Sequence, residues 1–196
     1  MSVSPAIRAS FDEAAATLAA FLADPDCLVG VQKFADLALN VVRHKGLLMS
    51  CGNGGSMCDA MHFAEEWTGR FRGERDAIAA VAFSDPSHLT CIANDFGYEE
   101  VFAREVQAYG KPGDLLVAIS TSGNSQNILR AVEEAKQRGV TTIGLLGKGG
   151  GKLAPLVDVA IIVPGAETSD RIQELHIKVL HIVIEAVERE LFPGNY

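Results

Sequence analysis

Two short stretches carry a density of glycine and hydroxyl side chains that suits anion binding: Cys51-Gly52-Asn53-Gly54-Gly55-Ser56 and Ser120-Thr121-Ser122-Gly123-Asn124-Ser125. Glycines let a backbone approach an anion, free N–H groups at a helix start donate to it, and hydroxyls add further donors. A phosphate held without a dedicated lysine is the chemistry these residues allow. Neither stretch fits the commoner nucleotide motifs. Met57 stands where GxGxxG needs a glycine, and the nearest approach to a P-loop, residues 147–152, is one residue short between its glycines and continues to Leu153. Either stretch alone reads equally well as a tight turn with a helix cap. Four hydroxyls in six residues of Ser-Thr-Ser-Gly-Asn-Ser tip the pair towards phosphate.

Just beyond the first stretch, His62 and Glu66 are four residues apart. On a helix they share a face, so they can converge on one metal ion or one substrate proton. An isolated pair of this kind is usually a polar couple on a solvated face, but here the helix starts at the candidate phosphate loop. Near the C-terminus, Asp170, Arg171, Gln173, Glu174, His176 and His181 add polar groups. Gln173 and His181 lie about 12 Å apart along a helix, and meet at one point only by reaching towards each other. His181 sits among Leu180, Ile182 and Val183, which makes it by default a core histidine with a hydrogen-bond partner.

These residues need a scaffold, and the pattern of apolar runs supplies one. Short runs at 47–51, 77–83, 114–120, 141–147 and 159–164 alternate with helical segments at about 56–71, 98–109, 125–138 and 169–191. Runs apolar on both faces and separated by helices indicate a buried parallel sheet, whose ligands bind beyond the carboxyl ends of the strands. Both glycine-rich stretches fall at such ends. Two Ala- and Leu-rich helices come first, about 5–23 and 27–44, with Asp24-Pro25-Asp26 stopping one and capping the next. The last helix is apolar around more of its circumference than one core needs, and a second subunit is expected to cover it. Residues 149–151, three glycines, read as a flexible loop.

With 196 residues, the chain fits one domain, 48% hydrophobic and 21% charged, which excludes global disorder. A net charge of −8 argues against a nucleic-acid phosphate surface. Cys27, Cys51, Cys58 and Cys91 form no CxxC pair, and the first residues do not resemble a secretory signal, so reduced thiols in a cytoplasmic protein are expected. No stretch reaches the roughly 18 apolar residues of a membrane span.

CGNGGS, DAMHFAEEWTGR at 59–70, AND at 93–95, STSGNS and DRIQELHIKVLHIVIE at 170–185 closely resemble the phosphoheptose isomerases of the sugar isomerase (SIS) superfamily, and the likeness covers nearly the whole chain. It implies a three-layer α/β sandwich, flavodoxin-like, with a five-stranded parallel sheet flanked by helices. The domain would span 1–196, with the helical segment 1–45 used in oligomer packing. The resemblance further implies a homotetramer with sites at subunit interfaces, converting sedoheptulose 7-phosphate to D-glycero-D-manno-heptose 7-phosphate, the first step towards an activated heptose of bacterial lipopolysaccharide. One zinc per subunit is implied, on His62, Glu66, Gln173 and His181. Substrate positions carried over by motif are Asn53, Gly54, Gly55, Ser56, Glu66, Asn94, Asp95, Ser120, Thr121, Ser122, Ser125 and Gln173.

For such chemistry Glu66 is assigned as the carbon base and His181 as the acid/base partner on oxygen. A carboxylate on zinc is a weaker base, so Glu66 serves one role at a time. His44 and His88 read as solvated or helix-end residues, and His176 as pointing to another face. Arg70 and Asp170 are a candidate ion pair, and Thr168 and Ser169 a helix cap. The rival reading is a non-catalytic SIS protein, either a regulator resembling the DnaA initiator-associating protein or a sugar-phosphate sensor. Such a protein has no need of Glu66 together with His181, so the isomerase is favoured.

Overall fold

The computed structural model describes residues 3–196. Its first two helices, α1 (Pro5–Ala23) and α2 (Pro25–Arg43), divide at Asp24, whose carboxylate accepts from the Asp26 amide at 3.0 Å while Pro25 opens the second helix. The expected sheet follows, with β1 (Leu48–Gly52), β2 (Ala80–Ala82), β3 (Leu115–Ser120), β4 (Thr141–Leu146) and β5 (Val159–Ile162). All pairings are parallel and the order is β2-β1-β3-β4-β5. Every residue of β1 and β3 is buried, as a sheet covered on both faces requires.

The remaining helices are α3 (Gly55–Thr68), α4 (Pro86–Phe96), α5 (Ala103–Tyr109), α6 (Gln126–Gln137) and α7 (Ser169–Leu191). Alternate residues of β3 divide the core. Leu115, Val117 and Ile119 face α1, α2, α3 and α7, while Leu116 and Ala118 face α4, α5 and α6. Three layers result. On the first side Phe34, Phe63 and Trp67 are fully buried, with ring centroids 6.0 Å apart for Phe34 and Phe63 and 5.8 Å for Phe63 and Trp67. Truncating any of them to alanine costs about 3–5 kcal/mol, and that packing seats α3 against α2 and the sheet.

Two elements differ from the sequence expectation. Residues 86–96, for which the apolar pattern predicts no element, form α4: Asp85 caps it by accepting from the His88 amide, and Pro86 occupies its first turn. The helix expected over 98–109 is a 3-10 turn at Tyr98–Glu100 followed by α5, because Gly97 at φ +97° ends α4 and redirects the chain.

The strand order places the reversal of winding between β1 and β3, and Gly52 pairs in register with Ile119. The loops that leave these two strands therefore lie side by side at the topological switch point. No single helix among the described residues is long and apolar enough to cross a membrane.

Candidate active site

Three helices begin at the switch point. Ser56 at the start of α3, Ser125 before α6 and Ser169 at the start of α7 line one pocket of about 190 Å³, together with Asn53, Ser120, Thr121 and Gln173. None of the three helices has a side-chain cap on its first-turn amides. The positive ends of three helix dipoles thus converge where an anion would sit against all of them. Hydroxyls complete the lining: Ser120 Oγ lies 3.4 Å from Ser125 Oγ, and Thr121 Oγ1 3.1 Å from Ser169 Oγ. Gln173 Nε2 donates to Ser56 Oγ at 3.3 Å, and its amide lies so close over Gly55 that a Cβ there would sit 2.7 Å from Oε1.

Gly123 of the second loop is interlocked with Gly150 and Gly151 after β4. A Cβ on Gly123, at φ +64°, would overlap the Gly150 carbonyl, and one on Gly151 would meet the Ser122 carbonyl at 2.5 Å. The Leu153 amide donates to the Gly123 carbonyl at 3.0 Å and the Lys152 amide to Asn124 Oδ1 at 3.1 Å. Within the stretch 149–151, expected as a flexible loop, Gly150 and Gly151 pack closely against the Ser120–Ser125 loop, whereas Gly149 is exposed with open space around it.

Further along α3 and α7, His62, Glu66 and His181 come together, each offering one ligand atom within 4.8 Å of the others. His62 Nε2 lies 2.8 Å from His181 Nε2 and 3.2 Å from Glu66 Oε1. His62 Nδ1 faces Glu65 Oε1 at 3.3 Å, and the His181 ring packs on Phe71 with centroids 5.7 Å apart. His181 is thus a half-buried face residue and not the core histidine that its apolar neighbours suggest. Burial, then the neighbouring Glu65, holds the Glu66 carboxyl above the usual carboxylate range, against the smaller lowering by His62 and Arg75. Burial, then His62 and Lys178, holds His181 below the usual imidazole range. The upward shift brings the Glu66 carboxyl nearer the pH at which a general base works best, while the downward shift keeps the His181 imidazole neutral and able to take up a proton. Two imidazole nitrogens facing each other at 2.8 Å need a proton or a cation between them. Two nitrogens and one carboxylate oxygen, with a fourth position open, are a donor set that fits zinc.

The expected site residues divide between these two ends. Asn53, Gly54, Gly55, Ser56, Ser120, Thr121, Ser125 and Gln173 form or border the strand-end pocket, and Ser122 Oγ accepts from the Asn124 amide in the loop after β3. Gln173, expected among the metal ligands, stands beside Ser56, about 12 Å along α7 from His181. Asn94 and Asp95 are exposed in the last turn of α4, joined to each other at 2.7 Å. Asp170 pairs with Arg171 at 3.3 Å instead of Arg70. Ser169 makes no cap and faces the pocket. His176 is fully buried, bonded to the Leu146 carbonyl at 3.1 Å, with its pKa pulled down to about 4 by burial. His44 bonds the Asn40 carbonyl at 2.8 Å and His88 the Val101 carbonyl at 3.0 Å.

Two further residues at the strand-end pocket belong to no sequence motif. Asn127, buried in the first turn of α6, exchanges amide hydrogen bonds with Asn53 at 2.9 and 2.8 Å, and the Tyr98 hydroxyl donates to Asn53 Oδ1 at 2.9 Å. The pair ties the loop after β1 to the helix after β3. An asparagine beside Ile128 and Leu129 on an amphipathic helix was the available clue.

The SIS domain family model matches residues 11–147. A phosphoheptose isomerase from Fusobacterium nucleatum is 56% identical over 165 residues, covering 84% of this chain and 84% of that protein. One from Aeromonas hydrophila is 55% identical over 185 residues, covering 94% of this chain and 96% of its own length. Among solved structures, a phosphoheptose isomerase from Francisella tularensis matches with a TM-score of 0.90 at 30% identity, over 96% of this chain and 100% of that one. The Neisseria gonorrhoeae enzyme GmhA matches with a TM-score of 0.86 at 39% identity, over 93% and 96% of the two chains.

Proposed function

Since the chain belongs to the SIS domain family, among the phosphoheptose isomerases, and is an aldose–ketose isomerase of sedoheptulose 7-phosphate, we propose that its strand-end loops hold the phosphate while Glu66 and His181 move the protons. Conversion to D-glycero-D-manno-heptose 7-phosphate takes a proton from C1 and returns one to C2 through an enediol. Glu66 acts on carbon. His181 transfers protons between the two oxygens and assists opening of the sugar ring. Both groups meet at His62 Nε2, so one reacting C1–C2 unit can face both.

The observation that carries this reading is the spacing of the two ends. From C1 to phosphorus, an extended heptose 7-phosphate spans about 10 Å at roughly 1.2 Å per bond. Gln173 and His181, which mark the ends on α7, are about 12 Å apart along the helix. A substrate with its phosphate among Ser56, Ser120, Thr121, Ser125 and Ser169 therefore brings its reacting carbons to Glu66. Gly54, Gly55, Asn53 and Ser122 serve the same phosphate end, and Gln173 binds substrate from beside Ser56.

His62, Glu66 and His181 would hold one zinc ion per subunit, which when bound supplies Lewis-acid polarisation of the carbonyl. Glu66 acts as ligand or base, one at a time. We further propose a homotetramer packed through the segment 1–45. Ile7, Phe11 and Leu22 of α1, Leu28 and Val29 of α2 and Ile182 of α7 are exposed, and a cavity of about 610 Å³ forms a largely apolar groove between α1 and α7 away from the acid–base cluster. Ile182 adjoins His181, so a second copy seated there would border the site, and Gln173, Asn94 and Asp95 would complete their expected roles where subunits meet. A cytoplasmic enzyme opening the route to a lipopolysaccharide heptose follows from this reading. Incubation with sedoheptulose 7-phosphate, with aldose formation followed by NMR, tests it; absence of turnover by folded protein overturns it.

A further inference from the structure

We propose that Arg75 is a positioning residue for the isomerisation, holding the turn of α3 that carries Glu66 in fixed register with the face of α7 that carries His181. The inference rests on the roles given above to Glu66 and His181.

Arg75 follows α3 on the loop to β2, and its side chain is fully buried, as is that of its partner Glu188 on α7. Its guanidinium reaches both helices. Nε donates to Glu188 Oε1 at 2.5 Å, one terminal nitrogen donates to the Glu66 carbonyl at 2.7 Å, and the other donates to the Trp67 carbonyl at 2.8 Å and the Asp76 carbonyl at 3.0 Å. The carbonyls of Glu66 and Trp67 belong to the last turn of α3, where no amide of the same helix is left to reach them. Arg75 thus caps the very turn from which the Glu66 side chain departs. The second oxygen of Glu188 is also engaged, accepting from the Tyr196 hydroxyl at 2.9 Å.

The same loop follows one stripe of α7. Phe71 packs on His181, Arg72 pairs with Glu185 at 2.7 Å, and Arg75 pairs with Glu188. Residues 181, 185 and 188 are spaced four and three apart, so they lie one above another on a single face. Replacing a buried ion pair with apolar residues of similar volume is often neutral for stability, so stability alone gives a weak reason for such a pair. A planar fork with five donors does something apolar contact does not: it sets distance and rotation between two elements. Those two elements carry the His62, Glu66 and His181 atoms that lie within 4.8 Å of one another.

Two variants test the inference, each assayed by kcat and KM for sedoheptulose 7-phosphate and by zinc affinity measured in competition with a chromophoric chelator. The paired change Arg75→Met with Glu188→Leu removes both charges and leaves none orphaned. Arg75→Lys keeps the charge but not the fork. The expected result for both is folded protein, kcat lowered about 10- to 100-fold with KM within about two-fold, and zinc affinity lowered about ten-fold, the scale on which outer partners of ligands act. Normal kcat and zinc affinity in folded Arg75→Lys overturn the inference, whether or not the paired variant folds. So does a loss in Arg75→Lys that the paired variant fully restores, since that marks an orphaned charge and not lost register. Glu66→Gln in the same assays separates the two levels: its retained turnover would sink the assignment of Glu66, whereas an inactive Glu66→Gln beside normal Arg75 variants removes only the role of Arg75.

Discussion

At the strand ends the pocket proposed for phosphate is lined by hydroxyls and carboxamides, none of them charged, drawn from the end of β3, the loops after β1 and β3, and the first turns of α3 and α7. Along α3 and α7 the acid–base cluster has the opposite character: three titratable side chains on helix faces, with His62 and His181 separated by 119 positions in the chain. The first end obtains its field from helix termini and needs close backbone approach, which glycine permits. The second obtains its reactivity from partial burial of ionisable groups and needs two helices in fixed register. On the proposed roles, binding and chemistry are separable in this fold, one sensitive to backbone geometry at the strand ends and the other to helix packing.

That contrast predicts different kinetic signatures. Glu66→Gln should lower kcat by about 10²–10⁴-fold, the range of general-base contributions, while thermal unfolding and oligomeric state stay as in the parent. Turnover near normal would erase the distinction between the ends. Removing metal with a chelator should lower kcat by at least about ten-fold, with zinc restoring it and KM little changed; activity indifferent to chelator would leave the cluster to acid–base chemistry alone. At the other end, Asn127→Ala strips Asn53 of its amide partner, and about 1–3 kcal/mol for an unsatisfied group should appear in KM while kcat holds. A kcat effect of equal size would show that the loops and the cluster are not separable. Ser169→Ala, which removes one hydroxyl from the rim, should raise KM only a few-fold by the same measure.

His176 lies on α7 between the two ends and offers a way to lose both together. Its folded pKa, about 4, lies below its ordinary value of 6.5, because burial excludes the charged form. The unfolded chain therefore takes up the proton first. The stability due to neutral His176 is complete above pH 6.5 and is lost as the pH falls towards 4, up to about 3 kcal/mol by linkage. Equilibrium denaturation between pH 7 and 4 should show this loss, and His176→Gln should flatten it. A pH dependence unchanged by the substitution would assign the loss to other groups.

Residues whose function is local were legible before the fold was known. The glycine and serine loops are contiguous, and the His62 and Glu66 pair follows helix period, so strand, loop and first helix turn all read from spacing. Family resemblance, not spacing, brought His181 to them, because its partners depend on how α7 crosses α3. Arg75 gives no sequence signal for the same reason, and Asn127 only the weak one of an amide on an apolar helix face: each acts on a residue far away or on backbone carbonyls. The missed α4 is a different case, since Asp85 and Pro86 gave a start signal and Gly97 a stop. Its single buried residue, Ile92, left too weak an apolar stripe to connect them.

The interlock of Gly123 with Gly150 and Gly151 bears on how this fold can be altered. Neither loop has room for a methyl group against the other, so the two cannot be exchanged singly between relatives that differ there. A graft must move both, as one cassette. Selection for sugars of different chain length would accordingly leave the phosphate anchor untouched and act on the distance to it, through the residues of α3 and α7 that stand between Ser56 and Glu66.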